Sequence, residues 1–225
     1  MATVSLYKIS KIPKLRDIKV KGLRIKIISN SKDELSFKII YSEPIKDIIS
    51  REFKEVASDI LKRLKDFADK SIEITIKASI YKKHKVLAIE RGKDYVLYRI
   101  LKKIGRHFGE ISPISLDSES LLKLARKYGS EIKFAVFKNI DGLLYETLRG
   151  RRLETNDKFK KMLKRNNDSL KVIGFYMKNT WPKFQVTING DKGTIRYYKN
   201  GFERTEISLI VDAVINMHNA FNNYS

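Results

Sequence analysis

The sequence contains no cysteine. That excludes disulfides, thiolate zinc sites and cysteine nucleophiles together, and it fits a reducing interior. Proline occurs four times, tryptophan once and histidine three times. His84, His107 and His218 lie far apart, at no ligand-like spacing from acids, so no histidine metal site is read. No stretch approaches ~18 uncharged apolar residues, so no transmembrane helix is expected. The opening MATVSLYKISKIPKLRD has a charge every few residues and no apolar core of the kind a secretory signal uses. P-loop, dinucleotide-binding glycine pattern, HExxH and GxSxG are all missing, and nothing calls for a cofactor. The expectation is a soluble cytoplasmic or nucleoid-associated protein with no membrane partner. A single glutamine (Gln185) in an Ile/Lys/Glu-rich chain leans towards a thermophile, while the Asn-Gly pairs at 189–190 and 200–201 lean away from one.

Negative charge is also in short supply. There are 47 Lys+Arg against 26 Asp+Glu, a formal charge of +21. The excess is concentrated in residues 1–29, 82–107, 149–171 and 178–204, which carry +7, +7, +6 and +4 and leave the rest of the chain at −3. A hydrophobic fraction of 42% supplies a real core, so disorder is not the explanation. A folded chain with this self-repulsion points to a polyanionic partner, nucleic acid first.

Periodicity predicts strands at 3–9, 15–28 and 34–42. A long helix follows to about Ala68, with Ser42 as N-cap and an inward face of Ile45, Ile49, Phe53, Val56, Ile60, Leu64 and Phe67. Residues 71–81 alternate most cleanly and pair with 85–90. Asp94 opens a helix to Phe108, with Gly109 at the C′ position. A loop at 110–117 leads to a short helix begun by Asp117 or Ser118 and ended at Tyr128-Gly129. Strands at 131–138 and 143–148, a helix capped by Thr155 to about Arg165, a three-strand meander over 169–199 and a helix over 205–221 complete the chain. The class is α+β, antiparallel sheets with packed helices. The order reads as two similar β-rich halves, 1–110 and 117–225, either separate or forming one continuous domain.

Four groups of residues are candidates for phosphate contact or base stacking. Arg149, Arg151 and Arg152 form the densest cation cluster, before a helix whose polar face adds Lys158, Lys161, Lys164 and Arg165. Arg99, Lys102, Lys103 and Arg106 make the outer face of the 94–108 helix. The N-terminal window, including Lys21 and Lys26, lays cations along strands. In the meander, Phe175, Tyr176, Trp181, Phe184, Tyr197 and Tyr198 interleave with Lys178, Lys183 and Arg196, as in sheets that stack single strands. Alternation there sends Phe184, Val186, Ile188, Ile195 and Tyr197 inward, and Lys183, Gln185, Thr187, Thr194, Arg196 and Tyr198 outward.

These residues point to a non-enzymatic nucleic-acid-binding protein of low sequence specificity, with DNA slightly ahead of RNA. Two alternatives remain open. Asp117, Glu131 and Lys133 follow the Asp…Glu-x-Lys order of metal-dependent nucleases, in which carboxylates hold a divalent ion and lysine activates water. The chain would otherwise be a structural or assembly protein docking on acidic partners. Residues 121–130 resemble the start of a helix-turn-helix, but Ile132, Phe134 and Val136 then alternate as a strand. The nearly uncharged polar face of the last helix (Asn216, His218, Asn219) would suit a homo-oligomer contact.

Overall fold

The computed structural model describes residues 2–68, 70–90, 94–140, 143–165, 168–178, 184–197 and 204–222. In chain order the elements are β1 (Ala2–Ile9), β2 (Leu23–Asn30), β3 (Glu34–Pro44), α1 (Ile45–Glu52), α2 (Ala57–Arg63), α3 (Lys65–Ala68), β4 (Ser71–Tyr81), β5 (Val86–Glu90) and α4 (Asp94–Phe108). They continue as β6 (Ile111–Pro113), α5 (Ser118–Tyr128), β7 (Gly129–Ile140), β8 (Leu143–Arg149), α6 (Asp157–Arg165), β9 (Leu170–Met177), β10 (Gln185–Asn189), β11 (Thr194–Tyr197) and α7 (Arg204–Asn222). Short 3-10 turns occupy Leu15–Asp17 and Leu153–Thr155.

Among the described residues the strands form one antiparallel sheet of eleven, in the order β2-β3-β4-β5-β1-β11-β10-β9-β7-β8, with β6 beside β1. β1 is central. It pairs with β5 through Val4↔Glu90 to Lys8↔Val86 and with β11 through Ala2↔Tyr197 to Ser5↔Thr194. Its alternation feeds two cores on opposite faces. Val4 and Leu6 join Val86, Ala88, Val186, Ile188, Ile195 and the buried sides of α5, α6 and α7. Ile9 joins Phe37, Ile39, Ile76, Ile80, Leu87, Ile89 and the stripe Val96, Leu97, Ile100, Ile104 and Phe108 of α4. Helices therefore cover one face at the N-terminal strands and the other at the C-terminal strands. The pattern of two similar halves does not extend to connectivity: β4 pairs with β3, the second strand of the preceding hairpin, whereas β9 pairs with β7, the first of its hairpin.

Several expectations need correction. Residues 15–28 are not one strand, because a 3-10 turn and a tight turn at Gly22 (φ +73°) delay the ladder until Leu23. The helix expected from a Ser42 cap to about Ala68 is three short ones, and its inward face is largely exposed, with Phe53 at 52% and Phe67 at 50%. The strands either side explain this. β3 and β4 pair all the way to Pro44↔Ser71, so the intervening segment sits beyond the end of the sheet with little surface to bury. Ser42 is a strand residue and Pro44 holds the cap position. Asn156 rather than Thr155 caps α6, accepting from the Phe159 N–H at 3.1 Å. On the polar face of α7 two residues bond within the chain, the His218 Nδ1–H donating to the Ser115 carbonyl at 2.9 Å and the Asn219 amide to His84 Nδ1 at 2.8 Å, while Asn216 is exposed. No helix among the described residues is long and apolar enough to cross a membrane.

Leu6 is fully buried at the strand both cores share. Leu6→Ala should cost about 2–5 kcal/mol in urea unfolding followed by circular dichroism. Amide exchange should accelerate in β5 and β11 together, and acceleration confined to one of them would contradict a central role for β1.

Candidate nucleic-acid interface

On the face opposite α5, α6 and α7, the C-terminal strands present a row of residues in register. Thr3 lies opposite Arg196, Arg196 opposite Thr187, Thr187 opposite Gly174, Gly174 opposite Phe134, and Phe134 opposite Arg149. At ~4.8 Å per strand the row spans about 24 Å. The residues inward of it, Ile195, Val186, Phe175, Ile132 and Ala135, belong to the core, so the outward set follows from pleating alone. Gly174 lets the row close up: a Cβ there would stand 3.0 Å from Phe134 Cβ and 3.1 Å from Thr187 Oγ1.

Cations sit against the rings of this face. The Arg149 guanidinium carbon is 5.3 Å from the Phe134 ring centre, and Lys133 Nζ is 5.4 Å from that of Tyr176. Lys133 falls at a register shift of β7, between Ile132↔Phe175 and Phe134↔Gly174, and such a bulge turns an extra side chain towards the neighbouring strand. A second row, Thr194, Asn189, Val172, Val136 and Thr147, lies alongside. Arg196, Arg149 and Thr147 are exposed, and Phe134, Tyr176, Val136, Thr187 and Thr194 are half-buried.

The remaining candidates are dispersed. Phe175, Phe184 and Tyr197 are buried, as the inward phase of their strands requires, and burial pushes the Tyr197 phenol above its usual pKa. Trp181, Lys183 and Tyr198 lie outside the described residues. Lys178 spends its ammonium on the C-terminal carbonyls of α5, donating to Arg126 O at 2.7 Å. Arg151 and Arg152 are exposed in the turn after β8, with Arg152 at φ +52° and 4.0 Å from Glu154. α6 packs Phe159 on Phe137, on the face away from Arg149, so Lys158, Lys161, Lys164 and Arg165 project on the far side of the sheet, with Lys158 paired to Glu146. The Arg149 cluster and the α6 cations are therefore not one gripping unit.

The nuclease triad does not assemble. Asp117 caps α5 by accepting from the Ser120 N–H at 2.8 Å, beside Ser118, which bonds Leu170 at the start of β9. Glu131 pairs opposite Tyr176, six residues along β9, roughly 20 Å away at strand rise. Glu131 is 3.7 Å from Lys133, a neighbour on its own strand. Among the described residues no three His, Asp or Glu side chains cluster as metal ligands.

The α4 cations form a separate feature around Glu43. The stripe Leu35, Phe37, Ile39, Tyr41 runs into Glu43, the next inward position of β3, and its carboxylate is fully buried. Arg51 Nη1 and Arg99 Nη1 each donate to Glu43 Oε1 at 2.7 Å, and the Tyr95 hydroxyl donates to Oε2 at 3.2 Å. Burial first, and the Glu43 charge next, raise the Tyr95 phenol pKa and keep it a donor. Arg51 stacks on the Tyr95 ring at 3.7 Å, and its Nη2 is buried without a hydrogen-bond partner. Arg99, Lys102 and Lys103 line a groove of about 750 Å³ with Lys21 and Gly22. Arg106 is exposed further along and contacts His107.

Sequence reasoning missed Phe134, Gly174 and Glu43. The register that joins the first two crosses shifts in β7 that no periodicity encodes. Glu43 did leave a signal, an acid in the next phase of an apolar stripe. The chain matches no protein-family model and no curated protein.

Glu43→Gln would leave two guanidiniums facing a neutral amide. Breaking a buried pair in this way should cost about 3–5 kcal/mol in chemical denaturation, and a loss below about 1 kcal/mol would show the carboxylate to be dispensable.

Proposed function

We propose that this protein is a non-enzymatic nucleic-acid-binding protein that takes a single strand, DNA somewhat ahead of RNA, across the open face of its C-terminal strands. The observation that carries the reading is the in-register row from Arg196 to Arg149, with the Phe134 ring inside it and Tyr176 and Lys133 beside it. Guanidiniums at both ends of the row suit phosphates, and rings on a pleated surface suit bases, because every base has a stackable face. Arg196 and Arg149 come from strands far apart in the chain, which fits cations gathered by folding. No helix of the described chain stands on this face to read a groove, so little sequence discrimination follows.

The reading makes separable demands on the residues. Arg149→Ala with Arg196→Ala should weaken oligo-dT and oligo-rU alike and flatten the salt slope by about 0.7 per lost phosphate contact. Phe134→Ala should cost about 1–3 kcal/mol of binding while leaving the salt slope unchanged. Neutralising Lys158, Lys161 and Lys164 on the far side should change affinity much less than the double arginine variant. Equal losses from the two faces would reject the open face. Retention near background at physiological salt would favour an assembly role on acidic protein partners instead.

A further inference from the structure

The groove between the Gly22 turn and α4 has the makings of a small anion site, independent of the open face. Its walls bring Lys21, Arg99, Lys102 and Lys103 together, against one carboxylate, Asp47. Like charges gathered from two distant chain segments repel, and the protein adds rigidity instead of relief. Arg99 is held through Nη1 by buried Glu43 and approaches the Tyr41 hydroxyl at 3.4 Å, so its plane is fixed. Its other N–H groups meet no partner among the described residues. Lys103 donates to the Lys21 carbonyl at 2.9 Å and lies 5.3 Å from the Tyr41 ring centre, which orients its ammonium as well. Glu43 and Glu52 balance Arg51 and Arg99, so the excess of positive charge at the groove is that of Lys21, Lys102 and Lys103 against Asp47.

Ser42 and Ser71 complete the lining. Gly22 holds φ +73° there, and a Cβ on it would stand 3.3 Å from Ser42 O and 3.5 Å from Lys103 Nζ. The turn thus comes close to the lysine and admits no side chain between. A pre-oriented guanidinium and a tethered ammonium, with Lys21 and Lys102 beside them, form a donor set around one opening that Asp47 alone offsets. A tetrahedral oxyanion with two charges would satisfy it, through the fork of Arg99 and the point charges of the lysines.

We propose that this groove binds a phosphoryl group, carried either on the end of a nucleic-acid strand or on a free phosphorylated small molecule. The probe is inorganic pyrophosphate, titrated calorimetrically into the full chain. Arg99→Met and Lys103→Met should each weaken it about tenfold or more, the loss of one charge-assisted hydrogen bond. Lys102 is exposed, so Lys102→Met supplies a variant with little risk to folding, and a weaker but measurable loss is expected there. The Arg149→Ala, Arg196→Ala protein should bind pyrophosphate as the unaltered chain does, which separates this site from the sheet face. A 5′-phosphorylated oligo-dT bound more tightly than its 5′-hydroxyl counterpart, with the difference reduced in Lys102→Met and abolished in Arg99→Met, assigns the phosphoryl group to a strand end. Equal binding of the two oligomers with pyrophosphate binding intact assigns it to a free ligand. No heat and no competition by pyrophosphate in the unaltered chain, or binding unchanged in all three groove variants, overturns the proposal.

Discussion

Two-sided pairing of β1 is the constraint on which the architecture depends. A strand at residues 2–9 could have been an edge, and its Lys8 would have suited one. Instead it hydrogen-bonds β5 on one side and β11 on the other, and its side chains enter both cores. One continuous sheet results, with helices on opposite faces at its two ends. That offset arrangement leaves the C-terminal strands bare on the side where α4 covers the N-terminal ones.

The charge distribution follows from the same arrangement. Cations that look like a single excess in the sequence are sorted by the sheet onto two sides. Arg149 and Arg196 reach the bare face, the α6 lysines point the other way, and the α4 cations meet the N-terminal window at the Gly22 turn. The windows do not merge into one track. What replaces it is a sheet surface with rings and a compact pocket braced by a buried carboxylate. A buried carboxylate with two guanidiniums is rarely the most stabilising way to fill a core position; what Glu43 does is fix the guanidiniums of Arg51 and Arg99 in place.

Much of this was legible in the sequence. The alternation of Ile72 to Ile80, the stripe of α4 with Gly109 after it, and the outward phase of Thr187, Thr194 and Arg196 all stand where period and caps put them. These are local rules, satisfied within a dozen residues. The helical segment after Pro44 failed because its amphipathic pattern describes a helix with a surface to cover, and the β3–β4 ladder leaves none in reach. The row from Arg196 to Arg149 was only partly visible. Each residue's phase was readable, but the pairing of β7 with β9 rather than with a sequence neighbour, and the shifts within it, are set by the whole sheet. The α6 cations failed for a related reason: adjacency in the chain says nothing about which side of a sheet a helix will choose.

The placement of β1 also imposes an order on biogenesis. Its first partner on one flank is translated within 90 residues, but the other, β11, emerges only at Thr194. At about 5–20 residues per second, roughly 5–20 s separate the two. Through most of that interval a nascent chain with its N-terminal strands paired, and β6 against residues 7–9, would expose unsatisfied amides and carbonyls along residues 2–5 of β1. Until β11 arrives that edge is open to other emerging strands, and the finished molecule keeps no trace of it.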